Sequence, residues 1–337
     1  EALPLFGRQM IWKTASALRK KGILGMNARN VAYIARYNER RYFPLVDDKL
    51  KTKEAARRHN IVVPELYGVI RYTGELRDLG QLLNPLSGFA VKPLRGSGGK
   101  GIVVISGREG DDFVKPSGKV VTLQDIRHDI ANILSGVYSL GGRPDTAIIE
   151  YLVRGLPRLL HFSYEGLPDI RVIVYRGFPI MAMMRCPTHL SDGKANLHQG
   201  AVGVGLDIRN GRALQAVQRD YLVEHHPDTG VSFSDLAIPD WNDLLLLAAK
   251  CYDMTNLGYI GCDFVIDESR GPMILELNAR PGLAVQIANG IGLRHRLELV
   301  DRLEHHDMHP EERVQYILES LGHPDDQTTP DSAPENG

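Results

Sequence analysis

The sequence predicts an α+β fold, and three observations carry that reading. Strand-like and helix-like runs follow one another along most of the 337 residues without the regular βαβ rhythm of a doubly wound sheet. The stretch 158–201 is dense in strand signals: LLHFSY, DIRVIVYRG and FPIMAMMR. No GxGxxG leads from a first strand into a helix, so a dinucleotide-binding opening has no support.

Taken in order, Leu3 to Asn38 carries apolar residues at helical spacing, and Gly22 and Gly25 divide it into two helices. Its many basic residues read either as a solvated face or as a docking surface for an anionic partner. KLKTKEAARRH follows as a helix, opened by Asp47 and Asp48, acids where the helix dipole favours them. FAVKPL (89–94) and GIVVI (101–105) read as strands around RGSGGK, a helix is expected from Leu123 to Leu140, and AIIEYLV (147–153) is a strand. After the strand-rich block comes a helix from Trp241 to Leu257, with Leu244, Leu247, Ala248 and Cys251 on one face. YIGCDFVID and PMILELNARPG are strands joined by a turn at ESRG, and a helical region runs to Leu321. The tail 323–337 has almost nothing to bury and is expected to be disordered.

Composition narrows the class. With 43% hydrophobic residues, the chain has the length for one large domain or two to three smaller ones. A net charge of −1 offers no global field for nucleic acid. No run approaches the about 18–20 apolar residues of a membrane span, and no signal peptide is evident. The chain begins with Glu1, which reads as a trimmed terminus. Cys186, Cys251 and Cys262 are scattered, as expected of idle thiols in a cytoplasmic protein.

Four constellations carry chemistry. In the CDFVID–ESRG–ILELNA hairpin, a turn centred between Ser269 and Arg270 places Asp263 opposite Glu276, with Asn278 on the same face. Cross-strand partners have Cβ atoms about 4.5–5.5 Å apart, so two carboxylates and an amide would share a cation, and oxygen donors suit magnesium. The alternative is a solvent-facing polar side of a sheet. VKPLRGSGGKG (91–101) combines Lys92 with glycines able to wrap a phosphate, or is a plain glycine-rich turn; it is not a Walker A loop, because Gly101 follows Lys100. Glu150, inside an apolar strand, needs a partner, either a nucleotide edge or a buried ion pair. Arg171, Arg185, Arg280 and the loop KANLHQG (194–200) supply basic groups, each equally readable as a surface ion pair, and His198 lies in a polar, glycine-flanked loop. EHHDMHP (304–310) looks metal-binding but sits at a helix end.

In order, DDKL, FAVKPLRGSGGKGI, IIEYL, DIRV, NLHQGA, GCDFV and LELNARPGL resemble the ATP-grasp superfamily and its ribosomal-protein glutamate ligase branch. The nearest group is the glutamate ligase-like, sugar-transfer-associated ATP-grasp family. The resemblance implies two α+β subdomains clasping ATP between antiparallel sheets, with a short helical segment (1–45) in place of the usual Rossmann-like domain. The ATP-grasp domain would span 46–322, with a glycine-loop lid at about 66–150 and a metal-binding part at about 151–322. It further implies that Lys49 and Lys92 contact the ATP phosphates under a cover of Gly96, Ser97, Gly98, Gly99 and Gly101. Glu150, Tyr151 and Leu152 would lie at the adenine, Asp169 near the ribose or acyl site, and Lys194 and Asn196 at nucleotide or substrate. Asp263, Glu276 and Asn278 would hold two magnesium ions, with manganese as a substitute. Arg171, Arg185 and Arg280 would stabilise the transferred phosphoryl group, and His198 is a substrate candidate.

The implied reaction joins a carboxylate to the amine of an amino acid, peptide or amino sugar through an acyl phosphate, glutamate being one such amino acid. Phosphotransfer and a non-catalytic ATP-binding role beside a membrane-linked glycan or peptide system are the alternatives. The basic N-terminal helices are a candidate peripheral docking element, and oligomer formation is compatible with the sequence. The KANLHQGA loop, with Gln199 where the glutamate ligase has arginine, and Arg280 both depart from that branch on the substrate side.

Overall fold

The structure, a computed structural model, describes residues 21–95, 100–304 and 307–321. The chain divides into two compact units, one formed by Pro44–Arg154 with Met273–Leu275 and the other by the rest.

In the first unit a single helical turn, Pro44–Asp47, precedes helix α1 (Lys49–Arg58), started by Asp48, whose carboxylate accepts from Leu50 N at 2.9 Å and Lys51 N at 3.2 Å. Its strands are β1 (Leu66–Ile70), β2 (Phe89–Pro93), β3 (Val103–Ile105), β4 (Gly107–Glu109), β5 (Asp112–Val114) and β6 (Val120–Val121). Helix α2 (Leu123–Leu134) and strand β7 (Ala147–Tyr151) complete it. The main sheet has the antiparallel order β1-β7-β2-β3, and β4-β5-β6 form a small second sheet. Alternation then assigns the faces. Phe89, Val91, Ile105 and Ile149 point into a core closed by Ile126, Ile130 and Ile133 of α2. Lys92 and Glu150 point the other way, one diagonal step apart, because Ala90 pairs with Glu150 and Lys92 with Ile148. Helix α2 ends six residues earlier than its apolar spacing suggests, where Gly136 turns the chain at φ 84°.

The second unit is built on a seven-stranded sheet of β8 (Asp169–Tyr175), β9 (Phe178–Cys186), β10 (Val202–Leu206), β11 (Ala213–Gln218), β12 (Tyr221–Val223), β13 (Tyr259–Asp267) and β14 (Gly271–Asn278). Its order is β12-β11-β10-β9-β8-β13-β14. Helices α3 (Trp241–Thr255), α4 (Ala284–Asn289), α5 (Arg294–Asp301) and α6 (Pro310–Ser320) pack on it, preceded by a helical stretch over 26–37. Cys251 of α3 meets Cys262 of β13, and all three cysteines are buried free thiols. Helix α4 comes so close to β10 that a Cβ on Gly205 would lie 2.3 Å from the Ala288 carbonyl oxygen.

Two local expectations differ from the structure. LLHFSY is not a strand: Pro157 starts a short helix, Pro157–Leu160, and turns follow, as suits a proline at the first helical position. The strands β10 to β12 lie beyond the block marked as strand-rich, since the glycines of VGVGL weaken the strand signal that the buried sheet interior restores. Residues 1–20, the glycines and serine at 96–99, His305, His306 and 322–337 lie outside the described residues, and with them much of the N-terminal helix, loop and tail expectations.

Candidate functional site

Four charged residues meet on one face of the seven-stranded sheet. Register brings them there: Asp263 pairs with Arg171 across β13 and β8, and Asp169 pairs with Arg185 across β8 and β9. Arg171 grips Asp263 with two bonds, Nε to Oδ1 at 2.7 Å and Nη2 to Oδ2 at 2.5 Å. Arg185 grips Asp169 in the same way, both distances 2.5 Å, and also reaches Asp263 Oδ2 at 2.8 Å. Such forked, charge-assisted bonds are stronger than neutral ones. Both carboxylates are buried.

The two acids are not equivalent. Burial pushes Asp263 up, but Arg171 and Arg185 outweigh it and hold its carboxyl below the usual value. Asp169 is raised to about 6, by burial first, with one guanidinium that it shares and the charge of Asp263 beside it. Arg185 is stabilised as a cation because the carboxylates of Asp169 and Asp263 outweigh its burial. The counter-charge that the hairpin reasoning gave to a cation thus comes, on Asp263, from two arginines.

Strand order sets β14 beside β13. An Asx turn opens β14: Asp267 Oδ1 accepts from Ser269 N and Arg270 N, each at 3.0 Å. Near its far end Glu276 is exposed and Asn278 half-buried, with Asn278 Oδ1 accepting from Arg280 N at 2.9 Å. The Arg280 guanidinium lies 5.1 Å from the centre of the Phe43 ring. Among the described residues no three carboxylates, imidazoles or thiols gather as a metal site. The donors themselves suit magnesium: Asp263 is held ionised, Glu276 is open to solvent, and Asn278 adds an amide oxygen. Between β9 and β10, Lys194 pairs with Asp192 at 2.8 Å, Asn196 Oδ1 accepts from His198 N at 3.0 Å, and the His198 side chain is exposed.

In the other unit, Glu150 has its partner in a pair of lysines. Lys92 and Lys53 both bond its carboxylate, Lys53 at 2.8 Å, and Lys53 also donates to the Pro64 carbonyl. Burial pushes Glu150 up, and the two lysines more than offset it, so its carboxyl sits below its ordinary value. Burial lowers Lys53 more than Glu150 raises it. Lys49 donates to the Leu94 carbonyl at 3.0 Å. Tyr151 N donates to Glu65 O at 2.8 Å, Leu152 is half-buried, and Gly101 turns at φ 74° against the Tyr138 ring.

Two residues here escaped sequence reasoning. Lys53 sits one turn after Lys49 on α1, and that i, i+4 spacing was a readable signal. Asp145 left no signal: its carboxylate accepts from Arg95 N at 3.1 and 3.2 Å and from Ser139 Oγ at 3.0 Å, fixing the chain just before the glycine-rich segment.

Residues 28–302 match the family described as sugar-transfer associated ATP-grasp. The chain belongs to that family. Membership sets the fold as ATP-grasp, α+β with antiparallel sheets. The chain is similar to the ATP-grasp ligase PsnB complexed with minimal precursor, at 15% identity over 79% of this chain and 62% of that one, with a TM-score of 0.42. It is also similar to the D-alanine–D-alanine ligase from Coxiella burnetii, at 12% identity over 83% of this chain and 61% of that one, TM-score 0.43. Its likeness to the Bacillus anthracis D-alanine–D-alanine ligase is 13% identity over 83% and 68%, TM-score 0.41. The chain thus spans less than two thirds of the first two ligases. No curated protein matches it. No helix among the described residues is long and apolar enough to cross a membrane.

Proposed function

We propose that the protein is an ATP- and magnesium-dependent ligase joining a carboxylate to an amine. The observation that carries this reading is the ionic cluster on the seven-stranded sheet, where Arg171 and Arg185 converge on Asp263 one strand from Glu276 and Asn278. Its groups are matched to handling dense negative charge rather than to nucleophilic attack. A carboxylate is a poor acyl donor. Its oxygen attacks the γ-phosphorus of ATP, the bond to the bridging oxygen breaks, and acyl phosphate and ADP form. The amine then attacks the acyl carbon, phosphate leaves, and an amide remains after loss of a proton.

Within this scheme Arg171, Arg185 and Arg280 neutralise the phosphoryl oxygens and orient the carboxylate. Lys49 and Lys92 hold phosphates, with Glu150 keeping Lys92 placed. Asp263, Glu276 and Asn278 would hold magnesium, which when bound neutralises phosphate charge. The carboxylate substrate and the amine, an amino acid, short peptide or amino sugar, meet Lys194, Asn196 and His198 on the β9–β10 loop. The family's association with sugar transfer makes amino sugars the first amines to test.

The test is ADP release with magnesium and ATP against pooled acids and amines, products read by mass spectrometry. Glu276→Gln is the better control, because Asp263→Ala strands the half-buried Arg171 guanidinium whereas Glu276 is exposed. Turnover needing both an acid and an amine, and falling about 100-fold in Glu276→Gln, supports the ligase. A phosphorylated acceptor without amide would overturn it, and so would full turnover in the variant.

A further inference from the structure

The stretch that sequence reasoning left between solvated face and docking surface is bonded, residue by residue, to the segment following Asn278. Asn38, 4% exposed, donates from Nδ2 to Tyr259 O at 2.7 Å and Ala279 O at 3.0 Å, and accepts at Oδ1 from Tyr259 N at 2.8 Å. One side chain therefore ties the first residue of β13 to the residue just after Asn278. Arg29 donates from Nη1 to Pro281 O at 2.6 Å, and its Nε and Nη2 bond Asn30 Oδ1, which holds the guanidinium in place. Further along, Gln286 Oε1 accepts from Leu24 N at 2.7 Å and its Nε2 donates to Leu24 O at 3.1 Å. Gly292 N donates to Lys21 O at 2.7 Å, and Arg294 N to Gly22 O at 3.1 Å. Phe43 lies under Arg280.

These bonds are placed where they matter for geometry. The carbonyls of Ala279 and Pro281 flank Arg280, whose own N–H is bonded to the Asn278 amide. A loop fixed at both neighbours and at its own backbone presents its side chains at one position rather than many, and that preorganisation decides how well charge is met. A stretch serving only to cover the sheet would need apolar contact, not buried polar side chains aimed at two carbonyls of one turn and at the strand beside it.

We propose that Asn38 and Arg29 are positioning residues for the Asn278–Pro281 turn, making 21–43 a working part of the site. The inference rests on the ligase reading only in assigning that turn to magnesium and phosphate.

The experiment compares wild type, Arg29→Met, Arg29→Lys and Asn38→Ala for binding of ADP with magnesium by calorimetry, and for amide hydrogen exchange. Arg29→Lys keeps a donor for Pro281 O, whereas Arg29→Met leaves that carbonyl unmet. Expected in Arg29→Met are about tenfold weaker binding and faster exchange confined to 279–283, both largely restored in Arg29→Lys. Wild-type binding and exchange in Arg29→Met would overturn the proposal. So would exchange that rises throughout the chain while the folded fraction binds normally, since that is a structural role alone. Should wild type bind no ADP with magnesium, the ligase reading fails separately, and exchange at 279–283 alone decides the clamp. Asn38→Ala is expected to follow Arg29→Met; if it does not fold, the Arg29 pair carries the decision.

Discussion

Asp169 and Asp263 lie on neighbouring strands and share Arg185, yet they answer pH in opposite directions. Asp169 is raised from 3.8 to about 6, so the stability tied to its proton is complete below 3.8 and lost as pH rises through about 6. Asp263 and Glu150 are lowered, so their contributions are present above their free-acid values and lost as pH falls through their folded ones. Thermal melts of Asp169→Asn should therefore lack the part of the wild-type decline that falls between pH 4 and pH 7; parallel curves would count against the assignment. In the other unit, Glu150→Gln leaves Lys53 and Lys92 facing each other with no carboxylate between them. Breaking a buried pair in this way costs about 3–5 kcal/mol, measurable by denaturant unfolding. That Glu150 required a partner was legible from its apolar strand; that lysines supply it was not. Lys53 is distant in sequence and reaches Glu150 only once α1 has packed.

At the scale of elements, the hairpin of β13 and β14 was readable because its signals are local. Two apolar runs flank a short polar turn, and the Asx turn at Asp267 with Gly271 at φ 70° closes it. The strands β10 to β12 were not readable for the opposite reason. The glycines of β10 leave room for α4 to pack closely, and that helix is some eighty residues away in the chain. Gly205→Ala tests this directly. Its Cβ would sit 2.3 Å from the Ala288 carbonyl oxygen, so α4 must shift, straining the bond from Asn289 Nδ2 to Ala182 O at 2.8 Å. The expected cost is about 1–3 kcal/mol, seen as a lower melting temperature.

For the whole molecule, two cores divide the work of stability. Ile130 is fully buried in the unit of Pro44–Arg154, and Ile173 is fully buried in the other. Truncating either to alanine should cost about 2–5 kcal/mol in unfolding experiments. The units are interleaved along the chain, since Met273–Leu275 of β14 groups with the first while the strand's two ends group with the second. Composition, with a net charge of −1, gave no long-range field, so any phosphate recognition must come from short-range clusters such as Arg171–Asp263–Arg185.

By itself, the sequence determined the α+β class, the ordered motifs that mark the ATP-grasp family, and the local devices: helix α1 with acids at its start, the strands β8 and β9, the β13–β14 hairpin, and the isolated charge of Glu150. Each depends on residues within a few positions of one another, where periodicity and turn chemistry act directly. Only the tertiary structure decided the partners. Arg171 and Asp263 are 92 residues apart, Lys53 and Glu150 nearly a hundred, and Asn38 and Ala279 241. A charge announces that it needs a partner wherever it is buried, but which residue answers depends on strand order and register, and those are set by packing the whole chain.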